Sequence, residues 1–191
     1  MPARKPTLLD QVDWLMDRVP GARFEVIGGE ICVTPLPDGP HQSVLTDLTL
    51  LFMDAGLDNE STEVLQKVAV WLPGGPSDFA IPDLSVIEPF DDHMIEFNCY
   101  DPAIFRLVLE VTANNYGNEL RSKVAAYAQA KIPVYVILNR RDDRIHVLTD
   151  PSGDAYGDHR VHSPGERITL PESIGAKVTL DVKALLDAAR N

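Results

Sequence analysis

The sequence predicts an α/β fold, and three observations carry that prediction. A strand, a helix and a second strand follow one another over residues 104–138, a βαβ crossover that requires parallel pairing of its two strands. Both strands, IFRLVLEVT at 104–112 and VYVIL at 134–138, are almost continuously apolar, as strands covered on both faces are. Amphipathic helices and hairpin signals flank this unit.

Residues 7–18 (TLLDQVDWLMDR) place Leu8, Leu9, Val12 and Leu15 at helical spacing, and Pro20 and Gly21 end the run. Residues 23–33 (RFEVIGGEICV) read as a hairpin turning at Gly28-Gly29. The Pro-rich TPLPDGP breaks regularity before a second helix over 41–55, with Val44, Leu48, Leu51 and Phe52 on its apolar face. Residues 64–72 read as one strand closed by a PGGP turn, and 81–87 (IPDLSVI) as a short strand. Residues 88–103 are polar and are expected to be irregular, with a mobile tip at FDDHMIEF. After the strand at 104–112, a helix over 118–131 has Leu120, Val124 and Tyr127 as its stripe, and Pro133 follows it. RRDD turns the chain from the strand at 134–138 into another at 144–149. Residues 150–191 supply a hairpin-like extension and a terminal helix over 180–189. No repeat, low-complexity tract or linker divides the 191 residues, so a single domain over 1–191 is expected.

Hydrophobic residues at 45% and charged residues at 24% place the chain among ordinary globular proteins. No apolar run approaches a membrane span, and MPARKPTLLDQVDWL lacks the apolar core of a signal peptide, so a cytoplasmic location is expected. The two cysteines, Cys32 and Cys99, are too few for a disulfide framework or a zinc knuckle and read as packed thiols. The net charge of −12 argues against nucleic-acid binding by the whole surface, while leaving room for a local basic patch or a bridging metal.

Three residues carry the chemistry. Glu110 lies inside VLEVT, where a carboxylate is costly to bury unless it is paired or bound to metal. Alternation puts it on one face with Val108 and Thr112, and Leu109 and Val111 on the other. It sits near the C-terminal end of a parallel strand, where open α/β sheets bind ligands. The structural alternative is a carboxylate that pairs or caps at a strand end. Asp83 follows Pro82 at the start of a short strand, and its alternative is a simple turn residue. Lys123 lies on the helix after the Glu110 strand; its alternative is a solvated pair with Glu119, four positions earlier. Together, two carboxylates from different strands suit a hard divalent cation such as magnesium. Such an ion orients or acidifies a water and stabilises charge on a phosphate, and a nearby lysine assists. That is the minimal equipment of a metal-dependent phosphodiesterase.

The string PD…LEVT…K resembles the PD-(D/E)XK nuclease superfamily and, within it, the bacterial Uma family of restriction-endonuclease-like proteins. FEVIGGEICVTPLPDGPH at 24–41, IPDLSVI at 81–87, LVLEVTANN at 107–115, NELRSKVAAYAQAKIPVYVIL at 118–138 and PGERITLP at 164–171 carry the resemblance across nearly the whole chain. It implies a restriction-endonuclease-like fold with a mixed central β-sheet flanked by helices, and it assigns Asp83 and Glu110 to metal and Lys123 to catalysis beside them. The superfamily's usual lysine position falls on Thr112, which lacks the charge; Lys123 matches the place to which this family moves it. The family's aspartate one turn earlier is Glu119 here. Glu30 and His41 also fit family positions, and with Glu119 they are candidate additional site residues, although His41 can instead cap the helix that it begins.

The expected function is that of a magnesium-dependent endonuclease, a hydrolase of DNA phosphodiester bonds, with manganese as a substitute ion and a homodimer as the expected assembly. The alternative is a catalytically degenerate binding or assembly module that retains the nuclease fold, favoured by the charge of −12 and the scatter of Arg121, Lys123, Lys131, Arg140 and Arg141. A third reading is a hydrolase of a small phosphorylated molecule. The chain carries no Walker-type phosphate loop and no GxSxG elbow.

Overall fold

The chain enters through helix α1 (Leu8–Met16), whose start is fixed by a reciprocal cap: Thr7 Oγ1 accepts the Asp10 N–H, and the Asp10 carboxylate accepts the Thr7 N–H. The computed structural model describes residues 5–112 and 118–190; the side chains of residues 118–120 lie outside that description. The expected hairpin forms from β1 (Arg23–Ile27) and β2 (Glu30–Thr34). Gly28 and Gly29 have φ of 61° and 77°, the left-handed pair that a two-residue turn requires. Both glycine N–H groups donate to the buried carboxylate of Asp78, at 2.8 and 3.1 Å.

Helix α2 (Gly39–Phe52) starts where Asp38 accepts the His41 N–H at 2.8 Å. It continues into a wide turn at Met53–Leu57. The segment at 64–72, expected as one strand, is instead two: β3 (Glu63–Gln66) and β4 (Ala69–Trp71), in different sheets. Lys67, with φ of 57°, turns the chain from one sheet to the other. Next come β5 (Phe79–Ala80) and β6 (Leu84–Ile87). The stretch expected to be irregular carries two short antiparallel strands, β7 (Met94–Glu96) and β8 (Cys99–Tyr100). The crossover follows as expected: β9 (Phe105–Thr112), α3 (Asn118–Gln129) and β10 (Val134–Asn139), with β9 and β10 parallel. The chain ends with β11 (Arg144–Ser152), β12 (Ala155–His162), β13 (Arg167–Thr169), β14 (Thr179–Asp181) and α4 (Val182–Ala188).

Two six-stranded sheets result. The central one runs β12-β11-β10-β9-β6-β3 and is mixed, β9–β10 being its parallel pair; the second runs β2-β1-β5-β4-β8-β7. On one side of the central sheet, Leu107, Leu109, Val111, Val134, Val136 and Leu138 pack with Leu45, Leu48 and Phe52 of α2 and Leu185 and Leu186 of α4. On the other side, Val108, Tyr135 and Ile137 pack with Tyr127 of α3 and with Ile27, Val70 and Ala80 of the second sheet. Glu110 pairs in register with Ile137, so it lies on this second side.

Candidate functional site

Asp83 stands one residue before β6, at the end of that strand nearest the C-terminal half of the neighbouring β9. There its Oδ2 accepts the backbone N–H of Val111 at 2.9 Å. Glu110, on β9, turns its carboxylate toward α3. Lys123 and Tyr127, four apart on one helix face, both donate to Glu110 Oε1, from Nζ at 2.6 Å and from the phenol at 3.0 Å. Lys123 is therefore not a solvated side chain; it is 7% exposed and points into the protein.

The opposite wall comes from β1. Glu25, 1% exposed, accepts the Ile81 N–H at 2.7 Å and pairs with Lys123 Nζ at 2.9 Å through the same oxygen. Arg23 reaches across the cleft. Its Nη1 donates to Asp83 Oδ1 at 2.7 Å and to the Ile81 carbonyl at 3.0 Å. Its Nη2 is 3.7 Å from Glu110 Oε2, and its Nε is 3.7 Å from Glu25 Oε2. His41, in the first turn of α2, brings Nε2 to 3.5 Å from Asp83 Oδ2; that nitrogen is buried and meets no hydrogen-bonding geometry among the described residues.

Three carboxylates, two permanent cations and an imidazole thus share one layer. Burial alone would raise the Asp83 carboxyl, but His41, the Arg23 guanidinium and the Val111 N–H outweigh it and hold the pKa down at about 2. Burial pushes Glu110 upward, against the pull of Lys123 and Arg23. Burial would also lower Lys123, yet Glu110 and Glu25 keep it above an ordinary lysine, so it stays charged. The Tyr127 phenol is raised by burial and by Glu110, so it remains a proton donor to that carboxylate.

The layer forms the floor of a cleft of about 730 Å³. Four cationic side chains line the cleft (Arg23, Lys67, Lys123, Arg140), and four anionic ones (Glu25, Asp38, Asp83, Glu110). On a chain with 17 Lys and Arg against 29 Asp and Glu, that balance makes the cleft less negative than the chain as a whole. At the rim Arg140 grips Asp38 with two hydrogen bonds, 2.8 and 3.0 Å.

Of the residues singled out in the sequence, Asp83, Glu110, Lys123 and His41 come together. Glu30 does not: it is exposed at the start of β2 and is not among the cleft-lining residues. Thr112 lines the cleft. The Glu119 side chain lies outside the described residues. Sequence reasoning missed Arg23 and Glu25 and took Tyr127 only as part of an apolar stripe. Glu25 carried a usable signal, being a carboxylate between Phe24 and Val26 just as Glu110 lies between Leu109 and Val111.

Among the described residues no group of three or more His, Cys, Asp or Glu side chains is placed so that it could hold a metal ion. The donor set nevertheless fits a hard divalent ion that keeps several waters. Asp83 Oδ2 and Glu110 Oε1 are taken by protein donors, whereas Asp83 Oδ1 and Glu110 Oε2 both turn toward one cationic group, the Arg23 guanidinium. No helix among the described residues is long and apolar enough to cross a membrane.

Comparison with known proteins agrees with this architecture. The chain is similar in fold to the crystal structure of a "putative nuclease belonging to DUF820" from Anabaena variabilis, with a TM-score of 0.70, 14% sequence identity, and coverage of 96% of this chain and 98% of that one. No curated protein matches. The model of the Uma2 family, described as "Putative restriction endonuclease", matches residues 10–183. A match of that extent, over a restriction-endonuclease-like fold, makes this chain a member of the Uma2 family.

Proposed function

We propose that this protein is a magnesium-dependent endonuclease that hydrolyses DNA phosphodiester bonds, with manganese able to replace magnesium. The observation that carries this reading is the convergence of Asp83 and Glu110 on a single cationic position at the floor of an open cleft, with Lys123 fixed on Glu110. Asp83 and Glu110 would hold the ion, which when bound supplies a more acidic water and neutralises charge on the phosphate. The chain's own groups prepare that position. The Val111 N–H locks one edge of Asp83, and Lys123 with Tyr127 locks one edge of Glu110, so the opposite edges, which face Arg23, are oriented before any ligand arrives. Lys123, kept charged by two carboxylates, places a positive charge beside the reacting phosphate. Lys67 and Arg140 line the cleft and suit the phosphates that flank the cut. Family membership supports a nuclease as the class of activity. Two copies pairing their sites is the form proposed for cutting both strands.

The test is incubation of plasmid, branched and single-stranded DNA with magnesium or manganese. The wild type is expected to cleave at least one of them, and Asp83→Asn, which keeps an acceptor for Val111, to be slower by about 100-fold or more. If wild type and Asp83→Asn are equally inert on every substrate and neither binds metal, the reading fails. The second reading, a binding module that keeps the fold without the activity, is favoured by the net charge of −12 and by the Arg23 guanidinium already seated between the carboxylates. It predicts an inert wild type.

A further inference from the structure

The seat of Arg23 has a consequence of its own. Its guanidinium donates to Asp83 Oδ1 and lies 3.7 Å from Glu110 Oε2, the two oxygens turned away from Val111, Lys123 and Tyr127. These are the oxygens assigned above to the metal. Arg23, half-buried, is held closely at only one of its three nitrogens. Its Nε is buried without a hydrogen-bond partner among the described residues, and its contacts with Glu25 and Glu110 are at 3.7 Å, beyond hydrogen-bond length. Among the described residues, only Nη1 makes short hydrogen bonds. The side chain lines the open cleft and is 18% exposed, so it has room to swing outward.

We propose that Arg23 is a resident competitor for the metal: guanidinium and divalent ion hold Asp83 and Glu110 in turn, and Arg23 sets the metal concentration at which the site loads. The inference rests on the metal reading above and adds its control. Charge explains why the two exclude each other. Three carboxylates (Glu25, Asp83, Glu110) face two fixed cations (Arg23, Lys123), leaving about one negative charge. A divalent ion placed beside Arg23 would overcharge the layer and repel the guanidinium at contact distance. With Arg23 withdrawn into the cleft, the ion and Lys123 balance the three carboxylates. The displaced guanidinium then faces the space that a phosphate would enter, where its planar fork suits two phosphate oxygens.

The test is manganese binding by isothermal titration calorimetry, with manganese chloride alone as the probe. Arg23→Gln is expected to bind manganese about tenfold more tightly than wild type or better, and added methylguanidinium, which refills the vacated place, to weaken it again. Equal or weaker binding by Arg23→Gln overturns the proposal. If both chains bind equally and Asp83→Asn abolishes binding, only the role of Arg23 falls. If neither chain binds, this inference and the metal reading fall together. A second measurement uses the wild type and does not depend on the variant folding. The Arg23 Nε–H resonance in a nitrogen-15 spectrum is expected to shift on titration with magnesium chloride. A resonance that stays in place at magnesium saturation overturns the proposal.

Discussion

Leu109 and Glu110, neighbours on the two faces of β9, are both buried and are held in different ways. On one face Leu109 is 1% exposed and lies among aliphatic side chains from β10, α2 and α4. On the other Glu110 is 5% exposed and lies among Lys123, Tyr127 and Arg23. The apolar face is stabilised by excluded water and close packing, so each side chain contributes according to its own volume. The charged face is stabilised by balance: each group is tolerable only because its partners are present, so contributions there are not additive.

The largest expected effect breaks that balance. Lys123→Met removes the cation that hydrogen-bonds Glu110 and pairs with Glu25, and should cost about 3–5 kcal/mol. Adding Glu110→Gln to it should recover about 1 kcal/mol or more, because the second substitution removes a stranded charge. Leu109→Ala should cost about 2–5 kcal/mol through loss of apolar contact and an unfilled cavity, and it should leave manganese binding intact. Urea unfolding of the three variants checks the contrast. If Lys123→Met costs less than about 1 kcal/mol, or if Glu110→Gln deepens its defect, the charged face is not held by balance.

The sequence disclosed the two faces unequally. The apolar one was plain, since IFRLVLEVT and VYVIL are buried strands by composition and the crossover between them follows from chain order. Half of the charged face was also legible, because a carboxylate inside VLEVT demands an explanation. The other half lies on β1 and belongs to a different sheet. RFEVI read as an arm of a hairpin, whose alternate residues would meet water, so Glu25 raised no alarm. Nothing in the local pattern says that Arg23 bridges to Asp83, 60 positions away; that contact exists only once the two sheets pack. Residues 64–72 misled for a related reason. Their β-rich pattern is continuous, and only the left-handed backbone at Lys67 divides it between the sheets.

A smaller effect extends the comparison along the same face. Glu110 pairs with Ile137 and Ile137 with His146, so His146 shares the site-bearing side of the central sheet. It is buried and bonds to His159 at 2.9 Å. Burial, reinforced by His159, lowers its pKa from 6.5 to about 4. A histidine lowered in this way is neutral in the folded chain while the unfolded chain takes a proton. Its contribution is intact above about pH 6.5 and is lost as pH falls toward 4. The loss should be on the order of 2 kcal/mol after allowance for solvent screening. His146→Gln should flatten that part of the stability profile, measured by urea midpoints between pH 7 and 4. A profile of unchanged slope would show that His146 takes up its proton at the same pH in the folded chain as in the unfolded one.

The smallest effect concerns how the charged face is reached from the apolar one. α2 packs its apolar side on the core through Leu45, Leu48 and Phe52, yet its first turn carries His41 to Asp83. Asp38 sets that turn by accepting the His41 N–H, and it also receives Arg140. Asp38→Ala should cost about 1 kcal/mol through the lost cap, with little added by the exposed ion pair. Asp38→Asn keeps a capping oxygen and should cost less than half as much. If balance governs the site, the two variants should also differ in manganese affinity, because only the alanine frees the backbone that aims His41 at Asp83. Equal affinity with unequal stability would mean that His41 is placed by the packing of α2 and not by its cap.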